Sequence, residues 1–252
     1  MGTALLFVGI VHILGYLVAY FKQTDHFTDI IYALSFMIIA GYGVYLHPNP
    51  GVFQLVLFLM ITIWAIRLSV YLGYRIRLWG LDKRFDRFRG SWSGLLKFWL
   101  LQYLSIIVIS LPILFNVTKP EGVFGFWQGF GAVIFLFGFL METFADYQKF
   151  MFKLNPKNKN SFIQNGLWRY SRHPNYLGEW LVWLGVFIFS MPLLLGYEWV
   201  AVISPIWIFV LLRYISGGNL LEKSAKSKYS DQPEYQAYLK RTGIFFPKLQ
   251  WK

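Results

Sequence analysis

Two clusters of polar side chains sit within or beside long apolar runs, and each has a spacing that suggests chemistry. Glu142 and Asp146 are four residues apart, which on a helix places both carboxylates on one face, one turn apart. Like charges stacked in this way are unfavourable unless a cation or hydrogen-bond donors face them, and lipid offers neither. The pair therefore reads either as part of a structural ion pair with Arg67 or Arg172, or as acceptors for the hydroxyls or amides of a ligand. The second cluster is the segment GLWRYSRHPNYLGE, which carries Arg169, Tyr170, Ser171, Arg172, His173, Asn175 and Tyr176 immediately ahead of an apolar run. Pro174 suits the first turn of a helix, where its missing N–H would be unpaired anyway. A helix N-terminus offers free N–H groups and a positive dipole end, so Arg172 and His173 beside it would suit a phosphate or carboxylate. Glu179 follows one turn into the helix on the side of Tyr176. A loop that is merely basic has no need of His, Asn, Tyr and Glu together, and the segment is read as a site.

The remaining ionisable groups within apolar runs are His12, Asp29 and Arg67, while Arg213 is placed to snorkel to an interface. His12 stands alone in mid-run and reads as a core histidine hydrogen-bonded to a neighbouring helix. The histidines His12, His26, His47 and His173 have no metal-ligand spacing, and the chain has no cysteine, so neither a metal site nor a disulfide is expected.

The elements that position these groups follow from composition. Of 252 residues, 56% are hydrophobic and 14% are charged, against about 25% charged in a soluble domain. Apolar runs near 3–21, 29–46, 52–73, 95–115, 124–145, 176–195 and 199–216 are each long enough, or nearly so, for a membrane-spanning helix, which needs roughly 20 apolar residues. The first run has no basic leader and no small-residue cleavage pattern, and is read as a retained helix. The expected fold is an all-α integral membrane bundle of seven spans over 1–218, with a cytoplasmic amphipathic helical tail over 219–252. Within the tail, Pro233 opens a second short helix.

The net charge of +12 is distributed by loop. Arg75, Arg77, Lys83, Arg84, Arg87, Arg89 and Lys97 lie around one connection, and Lys149, Lys153, Lys157, Lys159, Arg169 and Arg172 around another. The tail is basic too, whereas the alternate connections hold only Lys119. Loops rich in Lys and Arg stay in the cytoplasm, so the N-terminus is placed outside and the C-terminus inside. The basic residues fall between spans and form no separate domain, so the expected charged partners are membrane lipids and not nucleic acid. This orientation gathers Arg67, Glu142, Asp146, the segment from Arg172 to Glu179, and Glu222, Tyr235, Tyr238 and Arg241 at the cytoplasmic face. A charged, water-soluble cofactor would reach that face from the cytoplasm, and an apolar substrate from the bilayer.

GLWRYSRHPNYLGEWLVWLG, with ETFADYQKF upstream and LLEKSAKSKY and YLKRTGIFFP downstream, resembles the membrane steroid 5α-reductase-like superfamily, closest to its uncharacterised bacterial branch. The likeness covers about 60–248, with the reductase-like C-terminal region at about 95–248. Sterol reductases and isoprenylcysteine carboxyl methyltransferases share a related Arg-His-Pro-x-Tyr stretch. The resemblance implies a seven-helix bundle that binds NADPH from the cytoplasmic side without a dinucleotide-binding domain of the usual α/β kind. It places Arg67, Glu142, Asp146, Asn175 and Glu179 at cofactor-contacting positions, and offers Arg172, Arg241 and Lys153 as partners for phosphates. His173, Tyr176, Glu222 and Tyr238 join the cofactor-binding set from the same cluster.

The implied activity is reduction of an activated C=C bond in a lipid-like substrate, steroid or other enone, in a bacterial inner membrane. Asp29, Tyr32 and Tyr71 are the candidates for the catalytic acid. The sequence departs from the steroid reductases in two places. The second span opens TDHFTDIIY with no Gln-Glu pair, and Trp64 replaces a tyrosine three residues before Arg67. The cofactor half of the pattern is kept and the half that grips a steroid ketone is not. An S-adenosylmethionine-dependent lipid or isoprenylcysteine-type methyltransferase, and a non-enzymatic membrane protein on the same fold, are the alternative readings.

Overall fold

The computed structural model describes residues 2–24, 27–80, 91–117, 119, 124–215 and 217–248. Lys83, Arg84, Arg87, Arg89, His26 and Lys252 lie outside the described residues. Regular structure among the described residues is helical, and seven stretches are long and apolar enough to cross a membrane. They are Gly2–Lys22, Thr28–Leu46, Val52–Trp79, Trp92–Ile109, Phe126–Leu154, Pro174–Leu193 and Gly196–Tyr229, and each overlaps one expected run in order, with ends that differ by up to several residues.

The helices are α1 (Gly2–Lys22), α2 (Thr28–Leu46), α3 (Val52–Trp79), α4 (Trp92–Ile109), α5 (Leu111–Asn116), α6 (Phe126–Leu154), α7 (Pro174–Ser190), α8 (Ile203–Val210), α9 (Gly218–Tyr229) and α10 (Pro233–Arg241). Their ends follow local chemistry. Gly80 stops α3 with φ at +73°, a left-handed conformation that glycine adopts without strain. Ser91 caps α4, its hydroxyl accepting from the Gly94 N–H at 3.3 Å. Pro112 has no N–H to continue α4, and the chain restarts as α5. Pro192 does the same after α7, where a 3₁₀ turn follows. The last apolar run is irregular: a 3₁₀ stretch over Gly196–Val202, then α8, then a π-helical turn over Leu211–Ile215.

The chain forms two compact units. The first comprises residues 1–132 and 186–207, the second 133–185 and 208–252, and the boundaries fall inside α6, α7 and α8. In the first unit α2 packs on α3, and α1 packs on α2 and α4. Trp99 of α4 reaches α1 because Gly15 has no side chain; a Cβ there would stand 2.5 Å from the indole. His12 is buried, but its Nδ1 meets the Val8 carbonyl of its own helix at 2.9 Å, and it packs edge-on against Trp99. The expected hydrogen bond to a neighbouring helix is thus replaced by a bond within α1 and ring contacts to α4. Lys119 pairs with Glu198 and also reaches the Leu193 carbonyl, so the charge expected on the lightly charged side is neutralised locally.

In the second unit the expected amphipathic tail is α9 and α10, with Pro233 at the start of α10. Tyr235 and Tyr238 turn inward and enclose Phe162, whose ring centroid lies 5.0 and 5.3 Å from theirs. The segment after α10 runs beside the segment before α7. The Arg172 N–H donates to the Gly243 carbonyl at 2.9 Å and the His173 N–H to that of Ile244 at 3.1 Å.

Candidate functional site

The second unit builds its site from a close helix pair. Gly138 on α6 faces Gly178 on α7, and a Cβ on Gly178 would lie 2.5 Å from the Glu142 backbone nitrogen and 2.8 Å from the Gly138 carbonyl oxygen. Small residues at a membrane helix interface let backbones approach in this way. The approach carries Asp146 to Asn175, whose Nδ2 donates to Asp146 Oδ1 at 3.0 Å. Glu142 and Asp146 are 2% and 4% exposed, so both carboxylates of the sequence pair face protein and not lipid. Asn175 Oδ1 is buried and accepts no hydrogen bond among the described residues.

Glu222 of α9 lies at the centre of a second cluster. Arg172 grips it with a fork, Nη2 at 3.0 Å from Oε2 and Nε at 3.2 Å from Oε1. Arg172 Nη1 also donates to the Leu239 and Thr242 carbonyls, both at 3.4 Å. His173 Nε2 meets Glu222 Oε1 at 2.9 Å, and the Tyr176 ring stacks on the imidazole at 5.3 Å. Burial holds the His173 imidazole below its ordinary value of 6.5, against the raising effect of the Glu222 hydrogen bond, while Lys149 and Arg172 lower it further. The neutral ring then donates from Nε2 to Glu222, which leaves Nδ1 as a buried acceptor with no donor among the described residues.

The sign of the resulting pH dependence is clear. Below 6.5 the unfolded chain protonates this histidine and the folded one does not, so stability is full above 6.5 and falls as pH drops towards the depressed value. Melting temperature measured from pH 7.5 to 5 should fall in the wild type and fall less in His173→Gln. Parallel curves would remove His173 as the source.

The other sequence candidates are placed as follows. Tyr238 is buried and its hydroxyl donates to the Trp168 carbonyl at 2.7 Å, with burial pushing the phenol up. Arg241 Nη2 donates to Gln164 Oε1 at 2.6 Å, its guanidinium 5.7 Å from the Tyr238 ring centre. Glu179 is half-buried on α7. Just ahead of α7 the backbone N–H groups of Arg172 and His173 serve Gly243 and Ile244, and the Arg172 guanidinium makes four hydrogen bonds, two to Glu222 and one each to the Leu239 and Thr242 carbonyls. Asp29, Tyr32, Arg67 and Tyr71 belong to the first unit. Tyr32 packs edge-on against Trp64, with centroids 6.4 Å apart, and Arg67 lies 5.5 Å from the Tyr71 ring centre.

Sequence reasoning missed Gly138 and Gly178, which set the helix distance, and Trp168, whose Nε1 donates to the Ala145 carbonyl at 3.0 Å. A glycine next to Glu179, inside an otherwise bulky span, was the available signal for the close approach.

Residues 15–242 match the family described as a protein of unknown function, DUF1295. The chain belongs to that family. A stretch of 172 residues is 28% identical to an uncharacterised protein of Schizosaccharomyces pombe, covering 60% of this chain and 48% of that one. The chain thus spans about half the length of this curated relative. No solved structure matches the chain.

Proposed function

We propose that this DUF1295 member is a membrane-embedded NADPH-dependent reductase of an activated C=C bond in a lipid-like substrate, with its cofactor entering from the cytoplasmic face. The observation that carries the reading is the buried acceptor set of Glu142, Asp146 and Asn175 Oδ1 on two helices held together by glycine. Acceptors gathered in low dielectric suit a donor-rich group such as a carboxamide or a ribose diol. DUF1295 is a steroid 5α-reductase-like family, and the RHPNYLGE and IFFP blocks that resemble the superfamily border this set. The basic loops support a reading with this site on the cytoplasmic side and the N-terminus outside, in a bacterial inner membrane by resemblance.

The chemistry such a cofactor supplies is hydride delivery to the β-carbon of the activated bond. The chain's own residues bind and orient. Asn175 holds Asp146 in place through Nδ2 and offers Oδ1 to the ligand, and Glu142 adds a second carboxylate one turn away. Burial of Glu142, Asp146 and the Asn175 Oδ1 atom excludes water, which strengthens each contact. Arg172 fits a different task from phosphate binding, since its donors already fasten Glu222 and the end of α10. Lys153 and Arg241, the latter donating to Gln164, are the other cationic candidates that the resemblance offers for phosphates. A proton for the adjacent carbon comes in this reading from Asp29, Tyr32 or Tyr71. Asp29→Asn, Tyr32→Phe and Tyr71→Phe identify it as the variant that loses turnover while keeping cofactor affinity.

Side-by-side equilibrium binding of NADPH and S-adenosylmethionine to the detergent-purified protein tests the proposal. NADPH binding in the micromolar range or tighter supports it. S-adenosylmethionine binding alone would make the chain a methyltransferase, and binding of neither by a folded sample would leave a non-enzymatic membrane protein. Asp146→Ala and Asn175→Ala should each weaken NADPH about 10- to 100-fold, the loss of one or two hydrogen bonds involving a charged group. Unchanged affinity in both would remove the site.

A further inference from the structure

The N-terminal part of α3 and the C-terminal end of α5 hold two buried amides whose carbonyl oxygens accept nothing among the described residues. Gln54 is 6% exposed and Asn116 is 1% exposed. Their nitrogens are engaged: Gln54 Nε2 donates to the Lys119 carbonyl at 3.1 Å, and Asn116 Nδ2 to those of Pro112 at 2.7 Å and Ser190 at 3.3 Å. Those acceptors fix which way each amide is turned, because a reversed amide would set oxygen against oxygen. Gln54 Oε1 and Asn116 Oδ1 are thereby left buried without a donor. Both residues line one cavity of about 10 Å³, otherwise walled by apolar side chains that include Ala40, Val44, Phe53 and Leu57.

We propose that this cavity is a binding site for a single water molecule that donates one hydrogen to Gln54 Oε1 and the other to Asn116 Oδ1, tying α3 to α5. Three properties select the occupant. It must donate twice, since both open positions are acceptors and a buried carbonyl left unpaired is costly. It must be about the size of one water, the room that a cavity of this volume provides. It must be neutral, because two amide oxygens without a carboxylate do not offset the dehydration of an ion in apolar surroundings. A lipid hydroxyl has a single hydrogen to give and so leaves one of the two oxygens unpaired.

A structure of the full chain in detergent or nanodisc, at a resolution that shows ordered water, tests this directly. The expected result is one density peak at hydrogen-bond distance, about 2.7–3.2 Å, from both oxygens. An empty cavity, or either oxygen paired with a protein donor, overturns it. In solution, a double-mutant cycle of Gln54→Met and Asn116→Leu isolates the bridge, because the two side chains share no direct hydrogen bond. The bridge predicts a coupling of about three- to tenfold in the unfolding equilibrium. Effects that multiply independently to within about twofold would count against it. The density test uses the wild type and so does not depend on either variant folding.

Discussion

Replacing Gly178 by alanine should cost about 1–3 kcal/mol or more, the penalty for overpacking a close contact, and replacement by valine should prevent assembly of the second unit. The reason is the identity of the atoms met. The new Cβ would stand 2.5 Å from the Glu142 nitrogen and 2.8 Å from the Gly138 carbonyl oxygen, both backbone, and neither can swing aside as a flexible side chain would. Relief requires α6 and α7 to separate, which also pulls Asp146 from Asn175. Thermal unfolding in detergent should show the loss, and under the proposed function NADPH affinity should fall at least tenfold in whatever fraction folds. Gly73→Ala on α3 is the matched control. A Cβ there meets nothing within 4 Å among the described residues, so exchanging glycine for alanine inside that helix should be neutral or slightly stabilising. Equal behaviour of the two variants would mean that the α6–α7 approach is not constrained as described.

Glu222→Ala should give the second large effect, about 2–3 kcal/mol, by leaving a guanidinium and an imidazole without their shared acceptor. The side chains of Arg172 and Glu222 are 12% and 23% exposed, so the pair is partly shielded from solvent and its loss is only partly made good by water. Because α9 carries Glu222 and α10 supplies the Leu239 carbonyl to Arg172, the first sign should be faster proteolytic cleavage within α9 and α10. Glu222→Gln keeps an acceptor and should lose less. Arg172→Lys should resemble the alanine variant, since an ammonium cannot form the two-pronged contact. Stability of Glu222→Ala within about 0.5 kcal/mol of wild type would show that the cluster does not hold the tail, that range being ordinary for an unconstrained surface position.

The sequence by itself determined the number and order of the apolar helices, the burial of Glu142 and Asp146, and the start of α10 at Pro233. These are local properties: hydropathy summed along twenty residues, the helical repeat, and the fixed φ of proline act wherever those residues stand. It misjudged His12, because a helix can satisfy a histidine from its own preceding turn as readily as from a neighbour. It also left the irregular course of the last span unseen, since hydropathy does not distinguish an α-helix from 3₁₀ or π turns.

Only the tertiary structure decided which polar groups meet. Arg172 stood open to Glu142, Asp146 or a bound anion, and the fold gave it Glu222, fifty positions along the chain. Asp146 found Asn175 because Gly138 and Gly178 let two helices touch at their backbones. The strand-like contact of residues 171–173 with residues 243 and 244 took up the backbone N–H groups just ahead of α7. Pairings of this kind depend on contacts between residues distant in sequence. Several partners of matching charge were compatible with the same linear pattern, and packing of the helices selected among them.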